Sequence, residues 1–231
     1  MFYFDPLYFV LLIPGMLFAG WAQLKVKSSF AKGSQIAPAS GLSGVRAARG
    51  ILDAYGLSNV DIERIQGRLG DHYDPKKKVL RLSPDVYDGV SLAALGVAAH
   101  EAGHAIQDAE KYGPLVLRNN IVPLASFGSN ASWFIIMAGM MFGSFNLVIG
   151  GILLFSAVVV FQLVNLPVEY DASARAKSIL VERAMISPQE QKTVSSVLDA
   201  AALTYVAATV SAILTLIYFL IRSGILGGRR D

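Results

Sequence analysis

Three histidines occur in the whole chain, and two of them flank a glutamate in the run His100-Glu101-Ala102-Gly103-His104. Side chains four residues apart on a helix stand one above the other on a single face. Both imidazoles can therefore reach one Zn²⁺ while the glutamate between them leans toward water on that ion. This is the arrangement of metal-dependent hydrolases. The bland alternative is a buried helix with two satisfied histidines.

A catalytic zinc takes three protein ligands and keeps one position open. The chain contains no cysteine, which leaves His, Glu and Asp as the plausible ligands, and the third must come from elsewhere in the chain. Glu169 is the strongest candidate, because it follows a long uncharged run at what reads as a helix start, among small residues that allow a neighbouring helix to approach. Its competing reading is a charge that marks the end of a membrane span. Asp171 stays open as an alternative ligand or as a partner of the ligands. Glu101 has the position of a general base, taking a proton from water and passing it to a leaving amine. The developing oxyanion needs a donor, and His72, Tyr170, Arg175 and Tyr205 are all candidates. Each ligating imidazole also needs an acceptor on its other ring nitrogen, a task for which Asp171 and Asp108 are both placed.

The elements that must position these groups belong to a membrane protein. Hydrophobic residues make up 54% of the 231, and charged residues only 16%, too apolar for an ordinary soluble domain. The net charge of +3 is small and the basic residues are scattered apart from Lys76-Lys77-Lys78, which solvates a turn, so no nucleic-acid partner is expected. Residues 7–24 are uncharged and long enough to cross a bilayer. Asp5 precedes them and Lys25, Lys27 and Lys32 follow, the reverse of a cleaved signal peptide, so the segment reads as an uncleaved anchor. From Asn119 to Val168 there is no charge at all, and Gly143-Ser144-Phe145-Asn146 divides that run into a helical hairpin of 121–142 and 147–165. Pro167 suits the first turn of a new helix carrying Glu169, which Ser187-Pro188 closes off. Ala200 to Ile221 supplies a fourth span before a short basic tail.

Between the first two spans the pattern changes. Ser43 is placed to cap an amphipathic helix in which Val45, Ala48, Ile51, Leu52 and Tyr55 share a face, with Gly56 ending it. Val60-Asp61-Ile62 and Val79-Leu80-Arg81-Leu82 read as two strands joined through the turn at Asp74-Pro75, a hairpin whose free edge could pair with an extended peptide. Ser91 caps the helix that runs through Leu92, Leu95, Ala98 and Ala99 into the two histidines. It is too short in apolar residues to span and reads as a buried core helix. His72, in Asp71-His72-Tyr73-Asp74, reads better as a surface residue than as a substrate contact.

The expected fold is thus mainly α and polytopic, with about four transmembrane helices and a small α+β catalytic domain of zincin type. The parts are an anchor (1–24), a catalytic part with the hairpin and the histidine helix (25–118), a transmembrane hairpin (119–167), a third-ligand helix returning to the catalytic part (168–198), and a fourth transmembrane helix with the tail (199–231).

The runs Asp71-His72-Tyr73-Asp74-Pro75, Leu82-Ser83-Pro84, His100-Glu101-Ala102-Gly103-His104-Ala105-Ile106-Gln107, Leu166-Pro167-Val168-Glu169-Tyr170-Asp171-Ala172-Ser173 and Ala200-Ala201-Ala202-Leu203-Thr204-Tyr205-Val206-Ala207 together resemble the YugP family of bacterial membrane zinc metallopeptidases, over nearly the whole chain. The resemblance implies a neutral zinc endopeptidase of the gluzincin kind, with ligands at His100, His104 and Glu169, the general base at Glu101 and one Zn²⁺ per chain. More distantly the order of spans and motif is similar to HtpX-type quality-control proteases. There an aspartate typically follows the ligand glutamate by four residues, a position that is Ser173 here.

Four spans place 25–118 and 168–198 on one side of the membrane, as a shared metal demands. Seventeen of the twenty Lys/Arg lie in those segments, and Lys25, Lys27, Lys32, Lys111 and Arg118 are close enough to span ends to count toward orientation. The catalytic side is expected to be cytoplasmic in a bacterial plasma membrane, with Arg222, Arg229 and Arg230 opposing. The leading function is a membrane-embedded endopeptidase acting on protein or peptide substrates in quality control or processing. A metal transporter or sensor would want ionisable groups inside the paired spans, which have none. An inactive scaffold would leave Glu101 without a purpose. Composition says nothing of the oligomeric state.

Overall fold

The computed structural model describes residues 5–67 and 70–226, and among them the order of elements is α1 (Pro6–Ser34), α2 (Gly44–Ala54), β1 (Asp61–Arg64), β2 (His72–Asp74), β3 (Val79–Leu82), α3 (Pro84–Tyr87), α4 (Leu92–Ala109), α5 (Gly113–Met141), α6 (Phe145–Glu182) and α7 (Gln191–Arg222). The expected mainly α architecture with a small sheet is what the chain forms. Arg229 and Arg230, weighed above for orientation, lie outside the described residues.

Four of these helices, α1, α5, α6 and α7, are long and apolar enough to cross a membrane. Internal packing divides the chain into two units. The first takes in the described parts of Met1–Ala22, Leu117–Leu166 and Thr204–Asp231. Its core joins Ile136 of α5, Val148, Ile152, Phe155 and Val159 of α6 and Ala212 and Phe219 of α7. Phe219 receives the rings of Trp133 and Phe155 edge-on at 5.3 and 5.7 Å. Met16, Leu17, Phe134 and Leu153 are exposed. Such a band of bare apolar side chains, on helices whose backbone groups are satisfied internally, suits contact with lipid.

The second unit comprises Gln23–Val116 and Pro167–Leu203. In α2 the buried face is Gly44, Ala47, Ala48, Ile51 and Leu52. Tyr55 caps the helix at 42% exposure rather than joining that face, and Ser43 occupies the N-cap without a side-chain hydrogen bond. Gly56 follows with φ +71°, the left-handed conformation that ends a helix at little cost only in glycine. The Ser91 hydroxyl accepts from the Ala94 N–H at 3.2 Å and starts α4, which is buried on nearly every side from Leu92 to Gln107. Ser187 and Glu190 form a reciprocal cap before α7: the Ser187 N–H donates to Glu190 Oε2 at 2.7 Å, and the Glu190 N–H to Ser187 Oγ at 3.3 Å.

Two expectations are corrected. The sheet has the order β1-β3-β2, with β1 parallel to β3 and β2 antiparallel to it. The turn at Asp74-Pro75 therefore joins β2 to β3, not Val60-Asp61-Ile62 to β3. Asp74 Oδ1 accepts from the N–H groups of Lys76 and Lys77, which folds the chain back locally. Closing so short a loop is cheap, so β2 takes that edge of β3 and leaves the other to β1. The second correction concerns Pro167, which lies inside α6 rather than opening a new helix. A proline removes one hydrogen bond from the ladder without forbidding helix on either side, a loss that long apolar helices tolerate.

Candidate metal centre

All the residues of the candidate centre lie in the second unit. On α4 the four-residue spacing stacks the two imidazoles, whose ring centroids are 4.7 Å apart. Nε2 of His100 and Nε2 of His104 stand 3.3 and 3.6 Å from one oxygen, Oε2 of Glu169 on α6. The approach of the two helices depends on Gly103, between the histidines. A Cβ there would lie 3.0 Å from the carbonyl oxygen of Ala172, one turn past Val168.

The fit of this set to zinc can be tested on distances alone. Donors roughly 2.1 Å from one tetrahedral ion stand about 3.4 Å from each other, and the two measured separations bracket that figure. The three donor atoms all lie within 4.8 Å of one another, and the glutamate and His104 are buried. Two neutral imidazoles and a carboxylate leave a fourth position for water, as a catalytic site requires. Burial disfavours charge on His104, but the Glu169 and Glu101 carboxylates and the bond to Gln107 outweigh it and raise its pKa.

Behind the donors, Nδ1 of His104 meets Oε1 of Gln107 at 2.9 Å, and Nε2 of Gln107 donates to the Val168 carbonyl at 2.9 Å and to Asp171 Oδ2 at 2.7 Å. Asp171 in turn accepts from Arg175 Nε at 2.6 Å, and Arg175 reaches Glu110 at 2.7 Å. Nδ1 of His100 meets the Ser173 hydroxyl at 3.1 Å. Glu101 is 8% exposed, and its Oε2 accepts the backbone N–H of Tyr73 on β2 at 3.1 Å. The Tyr73 hydroxyl donates to Asp108 Oδ2 at 2.7 Å, where Lys78 also pairs. Burial, followed by Asp108 itself, pushes the Tyr73 phenol above its ordinary value.

Of the sequence candidates, the structure brings together His100, Glu101, His104 and Glu169. Asp171 reaches the centre through Gln107, and Asp108 is engaged by Tyr73 and Lys78. His72 is exposed, with Nδ1 against the Gly70 carbonyl at 2.7 Å. Tyr170 is 50% exposed. Arg175 is held by its two carboxylates, and Tyr205 belongs to the first unit. Gln107 and Tyr73 join the centre without any role that the sequence assigns to them. Gln107 was within reach of a pattern argument, lying three residues beyond His104 on the same face.

A two-histidine, one-carboxylate centre with a buried glutamate beside it, in a chain with four described helices long and apolar enough to cross a membrane, is the donor set found in the class of membrane zinc metallopeptidases. The chain belongs to the family described as "Putative neutral zinc metallopeptidase", whose model matches residues 8–224. It is 48% identical over 213 residues to the "Putative membrane protease YugP" of Bacillus subtilis (strain 168), an alignment covering 92% of this chain and 95% of that protein. No solved structure matches the chain. The family and the donor set agree on one Zn²⁺ as the cofactor.

Proposed function

We propose that the protein is a zinc-dependent endopeptidase that hydrolyses peptide bonds close to the membrane surface, in the quality control or processing of membrane proteins. The observation that carries this reading is the convergence of His100 Nε2, His104 Nε2 and Glu169 Oε2 beside the buried carboxylate of Glu101.

When bound, Zn²⁺ supplies Lewis acidity, polarising a carbonyl and making water more acidic. His100, His104 and Glu169 would hold it. Glu101 moves the proton. Its Oε2 is fixed by the Tyr73 amide, which leaves Oε1 to take a proton from the attacking water and deliver it to the amide nitrogen as the C–N bond breaks. Water thus adds its hydroxyl to the carbonyl carbon and its proton to the leaving amine, and Glu101 is regenerated.

The three-residue strand β2 forms one edge of the sheet. An extended substrate pairing its backbone with that edge would be recognised by main chain more than by side chain, which suits a protease of broad selectivity. Val168 ends the uncharged run and Glu169 follows it, and at about 1.5 Å rise per helical residue that short spacing in the sequence supports a site close to the bilayer surface. The bias of Lys and Arg puts that surface on the cytoplasmic side of the plasma membrane. The test is metal analysis with a casein-type cleavage assay on purified wild type and Glu101→Gln. The reading predicts one zinc in each and cleavage only by wild type; equal cleavage, or no zinc in wild type, overturns it.

A further inference from the structure

Gln107 is completely buried, three residues beyond His104 near the end of α4. A buried carboxamide is costly unless all its groups are satisfied, and this one is satisfied in only one orientation. Two acceptors, the Val168 carbonyl and Asp171 Oδ2, sit at 2.9 and 2.7 Å from one end of the amide, which must therefore be the NH₂. The oxygen is then turned to His104 Nδ1 at 2.9 Å. An oxygen can only accept, so Nδ1 must carry the hydrogen, and in the neutral ring Nε2 keeps the lone pair that faces Glu169.

The same side chain also spans the two ligand-bearing helices. Its oxygen holds a ligand of α4, while its nitrogen is bonded to α6 at the residue before Glu169 and at the residue two after it. Asp171 is itself held by Arg175, and Arg175 by Glu110 at the end of α4, so the bridge closes on the helix from which it starts. We propose that Gln107 is a positioning residue for the metal centre: it selects the Nδ1–H tautomer of His104 and sets the separation between His104 and Glu169. This rests on the zinc reading of the site, though not on proteolysis.

The two roles separate in two variants of the full chain in detergent. Gln107→Met fills the space but removes both bonds. Gln107→Glu keeps an acceptor for His104 Nδ1 but sets a second carboxylate against Asp171 and the Val168 carbonyl. Two properties are read: the tautomer of the neutral His104 ring in zinc-free protein by ¹⁵N NMR, at alkaline pH where the imidazole has lost its second proton, and zinc affinity by chelator competition. Wild type should show Nδ1–H. Gln107→Met should populate Nε2–H and bind zinc about 10- to 100-fold more weakly. Gln107→Glu should keep Nδ1–H and still lose affinity, and it decides the matter if the methionine variant does not fold. Zinc affinity within twofold of wild type in the variant that folds, or an unchanged tautomer in Gln107→Met, overturns the proposal. A wild type that binds no zinc would instead sink the reading of the centre, and the tautomer measurement would still judge Gln107.

Discussion

The backbone N–H of Tyr73 donates to Oε2 of Glu101 at 3.1 Å, so the edge of the sheet and the metal-binding helix meet at the one carboxylate between the two histidines. Tyr73 also bonds Asp108 on α4 through its hydroxyl. The strand is thereby fixed to α4 at two points, and the Glu101 carboxylate has one oxygen held and one left for chemistry. Replacing that carboxylate by an isosteric amide keeps the acceptor for Tyr73 and removes the base. Glu101→Gln should therefore retain zinc at wild-type stoichiometry and lose peptide hydrolysis by about 10²-fold or more. Cleavage near the wild-type rate would show that another group handles the proton.

Glu169 and Asp171 make different predictions. Glu169 Oε2 faces both imidazoles, whereas Asp171 acts through Gln107. Glu169→Ala should empty the site under a competing chelator, and Asp171→Ala should weaken it by about 10- to 100-fold. The reverse order of zinc loss would reassign the third ligand to Asp171.

Gly103 allows α4 and α6 to approach. Because a Cβ would already press on the Ala172 carbonyl, the branched side chain of Gly103→Val must part the helices, at a cost of about 1 to 3 kcal/mol. Thermal unfolding and zinc affinity should fall together. A variant as stable and as zinc-avid as wild type would mean that this contact is not tight.

A pH dependence follows from Glu190, whose carboxyl is held below its ordinary value by the backbone N–H of Ser187 and then by that of Ala39. A folded pKa below the unfolded one gives stability that is complete above the ordinary glutamate value and is lost as pH falls through the folded value. Glu190→Gln keeps an acceptor for the cap but loses the charge, and should be less stable than wild type at pH 7 by a few tenths of a kcal/mol, roughly 0.3 to 1. The gap should narrow in acid. Unfolding midpoints at neutral and acidic pH check this, and a gap independent of pH would remove Glu190 as its origin.

Orientation and substrate class are tested together. With the catalytic side in the cytoplasm, a cysteine at the exposed turn in Lys77→Cys should resist membrane-impermeant labelling from outside intact cells. Cleavage sites mapped by mass spectrometry, in cells carrying wild type or Glu101→Gln, should fall in extended segments beside membrane spans on that face. External labelling, or cuts confined to secreted domains, would overturn the orientation.

The sequence by itself determined what is local and periodic. Four-residue spacing put His100 and His104 on one face with Glu101 between them, and long uncharged runs marked the four helices long and apolar enough to cross a membrane, since a bilayer demands length and apolarity whatever the fold. It also brought Glu169 forward, as the first charge after the longest such run. Partner choice was not legible. That β3 takes β2 on one edge, across the Asp74-Pro75 turn, and β1 on the other is a pairing between strands that the residue pattern within each strand does not specify. Nor did the pattern show that α6 runs on through Pro167, because a proline weakens a helix locally while packing on either side decides whether it continues. Above all, only the tertiary structure decided which group holds His104. Asp108 and Asp171 were equal candidates along the chain, but the close approach of α4 and α6 interposes the buried amide of Gln107 between His104 and Asp171 and turns Asp108 toward Tyr73, a matter of distances between residues some sixty positions apart that no local spacing encodes.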